Sequence, residues 1–197
     1  MVATYCIVQN LLHHLFGVYA QNAKNFTDAL KKRMEYTYAI LIKEVPDFDE
    51  IINFDCTDSA TDDAMQKLNF TVSWFLTLLA YRLTDHQRAI MMFDFTLCSL
   101  HLYTSSYLVA AIVLHLLSTE QITAHSPKQE TMALFYNNKQ NNLDLERVMH
   151  KTTELMSKDK HDFAKLEKYA QSLRQKQNAN KMMGSFVKGF KNLFGKK

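Results

Sequence analysis

The chain has 197 residues, enough for one domain with a tail, and 47% of them are apolar, an ordinary share for a packed core. Its net charge of +3 hides an asymmetry: from Lys168 to Lys197 there are eight basic residues and no acid, which leaves the preceding part at −5, so tail and body should meet different partners. With only two Pro, four Gly, and no Gly between Gly17 and Gly184, the chain lacks the turn residues that sandwiches and barrels require and reads as an all-α, multi-helix bundle.

Cys6, Cys56 and Cys98 are too few and too scattered for a disulfide framework, and they lack the paired spacing of a zinc site. That usage points to a reducing, intracellular setting. The longest apolar run, Tyr107 to Leu117, is too short to span a bilayer. The opening Met-Val-Ala-Thr-Tyr-Cys has no basic region, so no signal peptide is expected.

In chain order, Thr4 to Tyr19 carries Ile7, Leu11, Leu12, Leu15 and Val18 at helical spacing and predicts a buried helix. A second helix is predicted from an N-cap at Thr27 through Leu30, Met34, Tyr38 and Leu41, ending before Pro46, because proline disfavours helix at the residue before it. A short helix is expected near Asp47 to Phe54. Asp55 to Asp63 is rich in acids but lacks the spacing and central Gly of a calcium loop, so it reads as solvated loop.

Three strongly apolar helices follow: Phe70 to Leu83, His86 to Leu100 capped by Asp85, and Tyr107 to Leu117 capped by Ser105 or Ser106. Thr131 to Asn142 is polar and loop-like at its end. Leu143 to Gln177 predicts one long helix with Leu145, Val148, Met149, Leu155 and Met156 on its apolar stripe. The organisation expected is a helical region over 1–125, a helical extension over 126–180 and a basic amphipathic tail over 181–197.

The segment Phe70-Thr-Val-Ser73-Trp74-Phe75-Leu76-Thr-Leu-Leu-Ala80 resembles the S-W-F-L-T-L-F segment of TBC domains, the helical fold that activates Rab-family GTPases. Ile90-Met-Met-Phe93-Asp94-Phe95-Thr-Leu97 resembles the family's R-L-W-D-x-x-L segment, with Phe93 in place of Trp and Met91 where a basic residue is usual. Tyr107 to Leu114 resembles the apolar helix that comes next. Three matches in order, over about Val2 to Ile122, are more specific than any one alone. Together with Leu83-Thr84-Asp85 and His13-His14-Leu15, they resemble most the membrane-anchored branch of the endoplasmic reticulum and Golgi.

The resemblance implies a Rab-family small GTPase as partner, a role in vesicle traffic as a regulator of an enzyme, and a place at the cytoplasmic face of early secretory membranes. The alternative is a non-catalytic helical membrane-associated adaptor. Ser73, Trp74, Phe75, Leu76 and Asp94 are the motif residues. Helical spacing predicts Trp74 and Phe75 as core, and Asp94, set in an apolar helix, predicts a buried carboxylate that must be paired.

TBC domains supply an Arg from an I-x-x-D-x-x-R segment and a Gln from a Y-x-Q-G segment, which act on the GTPase in trans by electrostatic positioning. No I-x-x-D-x-x-R segment exists in this chain. Tyr19-Ala-Gln21-Asn22 has Asn where the Gly belongs and falls downstream of the expected place. No catalytic residue is therefore assigned. The uncapped, apolar beginning suggests a fragment of a longer reading frame. No cofactor or metal is expected: the histidines, His115 and His150 among them, show no ligand spacing.

In the tail, Phe186, Val187, Phe190, Leu193 and Phe194 fall on one helical stripe, with Lys188, Lys191, Lys196 and Lys197 off it. Aromatic residues backed by lysines describe an interfacial helix on an anionic membrane surface. Docking of the phenylalanines on the domain, or a disordered basic tail, are the alternatives. No nucleic-acid motif is present.

Overall fold

The structure, a computed structural model, describes residues 23–52, 64–77, 83, 85–99, 103–136 and 143–159. It is an all-α bundle, with no strand among the described residues. The helices are α1 (Ala23–Glu44), α2 (Phe48–Ile51), α3 (Ala64–Lys67), a 3-10 turn (Asn69–Thr71) running into α4 (Val72–Thr77), α5 (His86–Cys98), α6 (Thr104–Thr119), α7 (Lys128–Tyr136) and α8 (Leu145–Asp159). The predicted helix Thr4 to Tyr19, the acidic stretch Asp55 to Asp63 and the tail from Lys181 lie outside the described residues.

α1 stops at Glu44, two residues before Pro46, as the proline dictates. Its start differs from expectation: the helix already runs from Ala23, so Thr27 stands a turn inside it rather than at its cap. α1, α6 and α8 form the centre of the bundle. α6 and α8 run antiparallel, since Tyr107 meets Asp159 at one end and His115 meets Arg147 at the other. Every residue from Thr104 to Val113 is buried, as are Val148, Thr152 and Leu155 on the facing side of α8. The described parts of the expected extension, 126–136 and 143–159, thus add Phe135, Leu143, Leu145, Val148 and Leu155 to the same core as α1 and α6.

Ser105 and Ser106 were expected as caps, but α6 begins earlier, at Thr104, and both serines are buried in its first turn. Arg33 Nη1 donates to Ser105 Oγ at 2.6 Å, and Ser106 Oγ donates to the Arg33 carbonyl at 3.1 Å. Thr37 Oγ1 also donates to the Arg33 carbonyl, at 2.9 Å. The Ser105 hydroxyl gives the buried guanidinium of α1 an acceptor, and the Ser105 and Ser106 bonds tie the two helices together.

α6 ends without glycine. Gln121 takes φ 52°, the left-handed conformation that Gly usually supplies at this position. The reward is a closed helix end: Ile122 N–H donates to the Leu117 carbonyl at 2.9 Å, which is the Schellman pattern. α5 is capped as expected, with Asp85 accepting the Gln87 N–H at 2.9 Å. α8 is capped by Asp144, which accepts the Arg147 N–H at 3.0 Å.

α7 covers the first part of the polar stretch Thr131 to Asn142, and the loop-like end expected there lies outside the described residues. α7 is a short helix whose Phe135 is fully buried and stacks on Phe70 at 4.4 Å between ring centroids. Its first turn is closed by the Pro127 carbonyl, which accepts from Glu130 N–H at 3.0 Å. The predicted helix over Phe70 to Leu83 begins as the 3-10 turn and is α-helical from Val72 to Thr77. Of the long helix predicted to Gln177, the part to Asp159 is described.

Candidate functional site

The motif residues divide between inside and outside. Trp74 and Phe75 are buried, with Phe70 edge-on to Trp74 at 5.5 Å. They are core, as their spacing predicts. Ser73 is exposed, and so is Leu76, at 43%. Asp94 is also exposed, which corrects the expectation of a buried, paired carboxylate. α5 buries Ala89, Met92 and Thr96, and Asp94 lies on the other side of the helix. That outer side carries Gln87, Ile90, Met91 and Asp94, with Ile90 at 46% and Met91 at 44% exposure. The stripe is therefore mixed apolar and acidic, set on a helix held to the residues just before α8 by the bond from the Arg88 guanidinium to the Leu143 carbonyl. The tail positions Phe186, Lys188, Phe190, Lys191, Leu193, Phe194, Lys196 and Lys197 lie outside the described residues.

A second feature has no counterpart in the sequence reading. An open cleft of about 590 Å³ lies between the end of α1, the second half of α6 and the first half of α8. Val45, Ile51, Leu114, Leu117 and Ile122 form its apolar side. α8 faces them with Arg147, His150, Lys151 and Glu154, spaced i, i+3, i+4 and i+7 so that they share one face of the helix. The sequence does carry this polar stripe, beside the apolar stripe of Val148 and Leu155. It does not show that Leu114, Leu117 and Ile122, together with Val45 and Ile51 from much earlier in the chain, supply the other wall.

The ionic groups around the cleft are organised. Lys158 Nζ lies 2.7 Å from Glu154 Oε1 and 3.7 Å from Glu44 Oε2, and Lys151 Nζ lies 3.2 Å and 3.7 Å from the same carboxylates. Hydrogen bonds from Lys158 first, and Lys151 second, hold the Glu154 carboxyl below its ordinary range. His115 is held below the usual imidazole value, first by desolvation and then by the positive charge of Arg147, with Asp144 opposing.

Two phenols lock the helices around this region. Burial, followed by the hydrogen bond to Asp49, raises the Tyr38 phenol well above its ordinary value. Tyr38 Oη donates to Asp49, while Lys67 Nζ donates to both, at 2.9 Å and 2.8 Å. Tyr107 is raised in the same direction, by burial first and the Asp159 charge second. Asp159, nearly buried, also accepts from Lys43 Nζ at 2.8 Å. These clasps join α1 to α2 and α3, and α8 to α1 and α6.

Among the described residues no group of three His, Cys, Asp or Glu side chains is placed to hold a metal ion. No described helix is long and apolar enough to cross a membrane. Comparison of the chain with protein-family models, with curated proteins and with solved structures returns no match.

Proposed function

We propose that this chain is a helical, TBC-like module that engages a Rab-family GTPase in membrane traffic without itself supplying catalytic fingers. The observation that carries the reading is the order of three segments: Ser73-Trp74-Phe75-Leu76, Phe93-Asp94-Phe95 and Tyr107 to Leu114. Their helical setting supports it, with Trp74 and Phe75 as the buried anchor of the first and α6 as the core of the third. The contact surface we assign is the outer face of α5. Ile90, Met91 and Asp94 project there from a helix whose opposite face is already buried, and exposed apolar residues grouped with a charge are suited to a protein partner.

Two measurements test this reading. Pull-down against a panel of nucleotide-loaded Rab proteins is expected to retain at least one member, and Ile90→Asp with Met91→Asp is expected to abolish that retention without lowering the melting temperature. Phosphate release from the same panel is expected to stay at its intrinsic rate, because a finger arginine alone supplies about 10³–10⁵ in rate and no such segment is present. Retention of no Rab protein removes the GTPase reading. Stimulation of about 100-fold or more removes the non-catalytic one.

The second reading, a membrane-associated adaptor, rests on the acid-free tail with its Phe186, Phe190, Leu193 and Phe194 stripe. Full-length chain is expected to float with anionic liposomes at low salt and less so at high salt. Phe190→Ser with Phe194→Ser is expected to remove most of the binding. Failure to float at low salt excludes the adaptor reading.

A further inference from the structure

The cleft between α1, α6 and α8 has hydrogen-bond donors to spare. Its carboxylates, Glu44 and Glu154, are bound by Lys151 and Lys158, and Asp144, outside the lining, accepts the Arg147 backbone N–H. The Arg147 guanidinium, by contrast, has no hydrogen-bond or ion-pair partner among the described residues, and neither do the imidazoles of His115 and His150. Arg147 and His115 both line this cleft, His115 from α6 and Arg147 from α8, and the guanidinium charge reaches the imidazole. Facing them, Val45, Leu114 and Ile122 pack on the core but keep part of their surface uncovered.

A surplus of donors calls for an acceptor from the ligand. A guanidinium is a planar fork that meets a carboxylate through two parallel bonds. The apolar wall calls for hydrocarbon, whose transfer out of water is favourable in proportion to the area covered. The volume, about 590 Å³, lies in the range of single small-molecule sites, which combine an apolar lining with a few convergent polar groups. A cation is disfavoured by Arg147, and a bare inorganic anion would leave the apolar wall wet.

We propose that this cleft binds a single-chain carboxylate amphiphile, with the carboxylate on Arg147 and His115 and the hydrocarbon along Val45, Leu114 and Ile122. The inference stands independently of any GTPase partner. Its probe is decanoate, compared with decanol and decyltrimethylammonium, which share the chain and change only the head group. Decyl phosphate and anionic phospholipid vesicles are further arms, for a phosphate head and for a bilayer surface.

Titration of the full chain by calorimetry, together with the imidazole proton resonances, reads the outcome. Decanoate is expected to saturate a single site and to shift the His115 and His150 resonances, with decanol and the ammonium at least about tenfold weaker, since a charged hydrogen bond is worth that much. Arg147→Gln is expected to weaken decanoate by about tenfold or more and to leave decanol unchanged. Ser118→Trp, at an exposed position on the rim, is expected to block both. Equal binding of decanoate and decanol, indifference to Arg147→Gln, tighter binding of decyl phosphate, or response to vesicles alone would each overturn the proposal. Should either variant melt early, the wild-type resonances still decide: no saturable shift with decanoate is a negative answer.

Discussion

α5 and α6 are consecutive in the chain and both are apolar, yet they come to rest in opposite surroundings. On α6 everything from Thr104 to Val113 is buried, and Leu116 and Leu117 with it. On α5 only Ala89, Met92 and Thr96 are, while Ile90 and Met91 stand nearly half exposed. α6 lies between α1 and α8, so two helices cover it from different sides. α5 is tied down on one side only, where Arg88 reaches the Leu143 carbonyl. The contrast extends to polar groups, for Ser105 and Ser106 are buried on α6 and satisfied by Arg33. Burial here follows the number of surrounding elements, and side-chain hydropathy follows it imperfectly.

The contrast is most sharply tested in the core. Trp74→Ala is expected to cost about 3–5 kcal/mol and Ile112→Ala about 2–5 kcal/mol, the range for large-to-small changes at closely packed sites. Ile90→Ala should stay within about 0.5 kcal/mol, as surface changes do. Urea or thermal melts of the three variants measure this. A cost at Ile90 matching that at Ile112 would mean that α5 is covered on both sides, and the comparison would fail.

A smaller effect is expected where α8 is fastened. Asp159→Ala removes the acceptor of Lys43 and Tyr107 and should cost about 1–3 kcal/mol, mainly through the buried hydroxyl left without its partner. Added salt should change this little, because Asp159 is almost buried and screening acts chiefly on exposed charges. If Asp159→Ala is neutral, the α6–α8 packing alone holds α8, and the ionic clasp contributes nothing.

The smallest effect is a pH limb. Burial raises the phenols of Tyr38 and Tyr107 above their ordinary value of 10.0. The neutral phenol is then the form the fold favours, so its contribution is complete below about pH 10 and is lost as pH rises beyond it. Stability should fall on the alkaline side, and Tyr38→Phe or Tyr107→Phe should make that fall shallower. Melting temperatures followed upward from neutral pH check this; identical alkaline slopes in wild type and both variants would show that neither phenol is protected.

How far the fold could be read in advance depended on how local its causes were. The Pro46 stop of α1 and the Asp85 cap of α5 act within a few residues, so the helix ends they dictate are where they were expected. α7 was not named in advance because what holds it is distant: Phe135 needs Phe70, some sixty-five positions earlier, to form a buried stack. Asp94 was expected inside because its neighbours are apolar. Ile90 and Met91, which share its side of the helix, are themselves exposed, and the carboxylate stands exposed with them. The cleft was illegible for a related reason, since its lining comes from three separate stretches of chain, around Val45, around Leu114 and around Arg147.

The sequence by itself determined the all-α class, through its dearth of Gly and Pro, and the main apolar stripes, through 3.6-residue spacing. It also determined that Trp74 and Phe75 would be interior. The tertiary structure decided which apolar faces remain uncovered, which serines enter the core beside Arg33, and which donors meet across the cleft. Periodicity specifies that a helix has a face to bury. Only the packing of one helix against others decides how many of its faces are buried, because that depends on neighbours the local sequence does not contain.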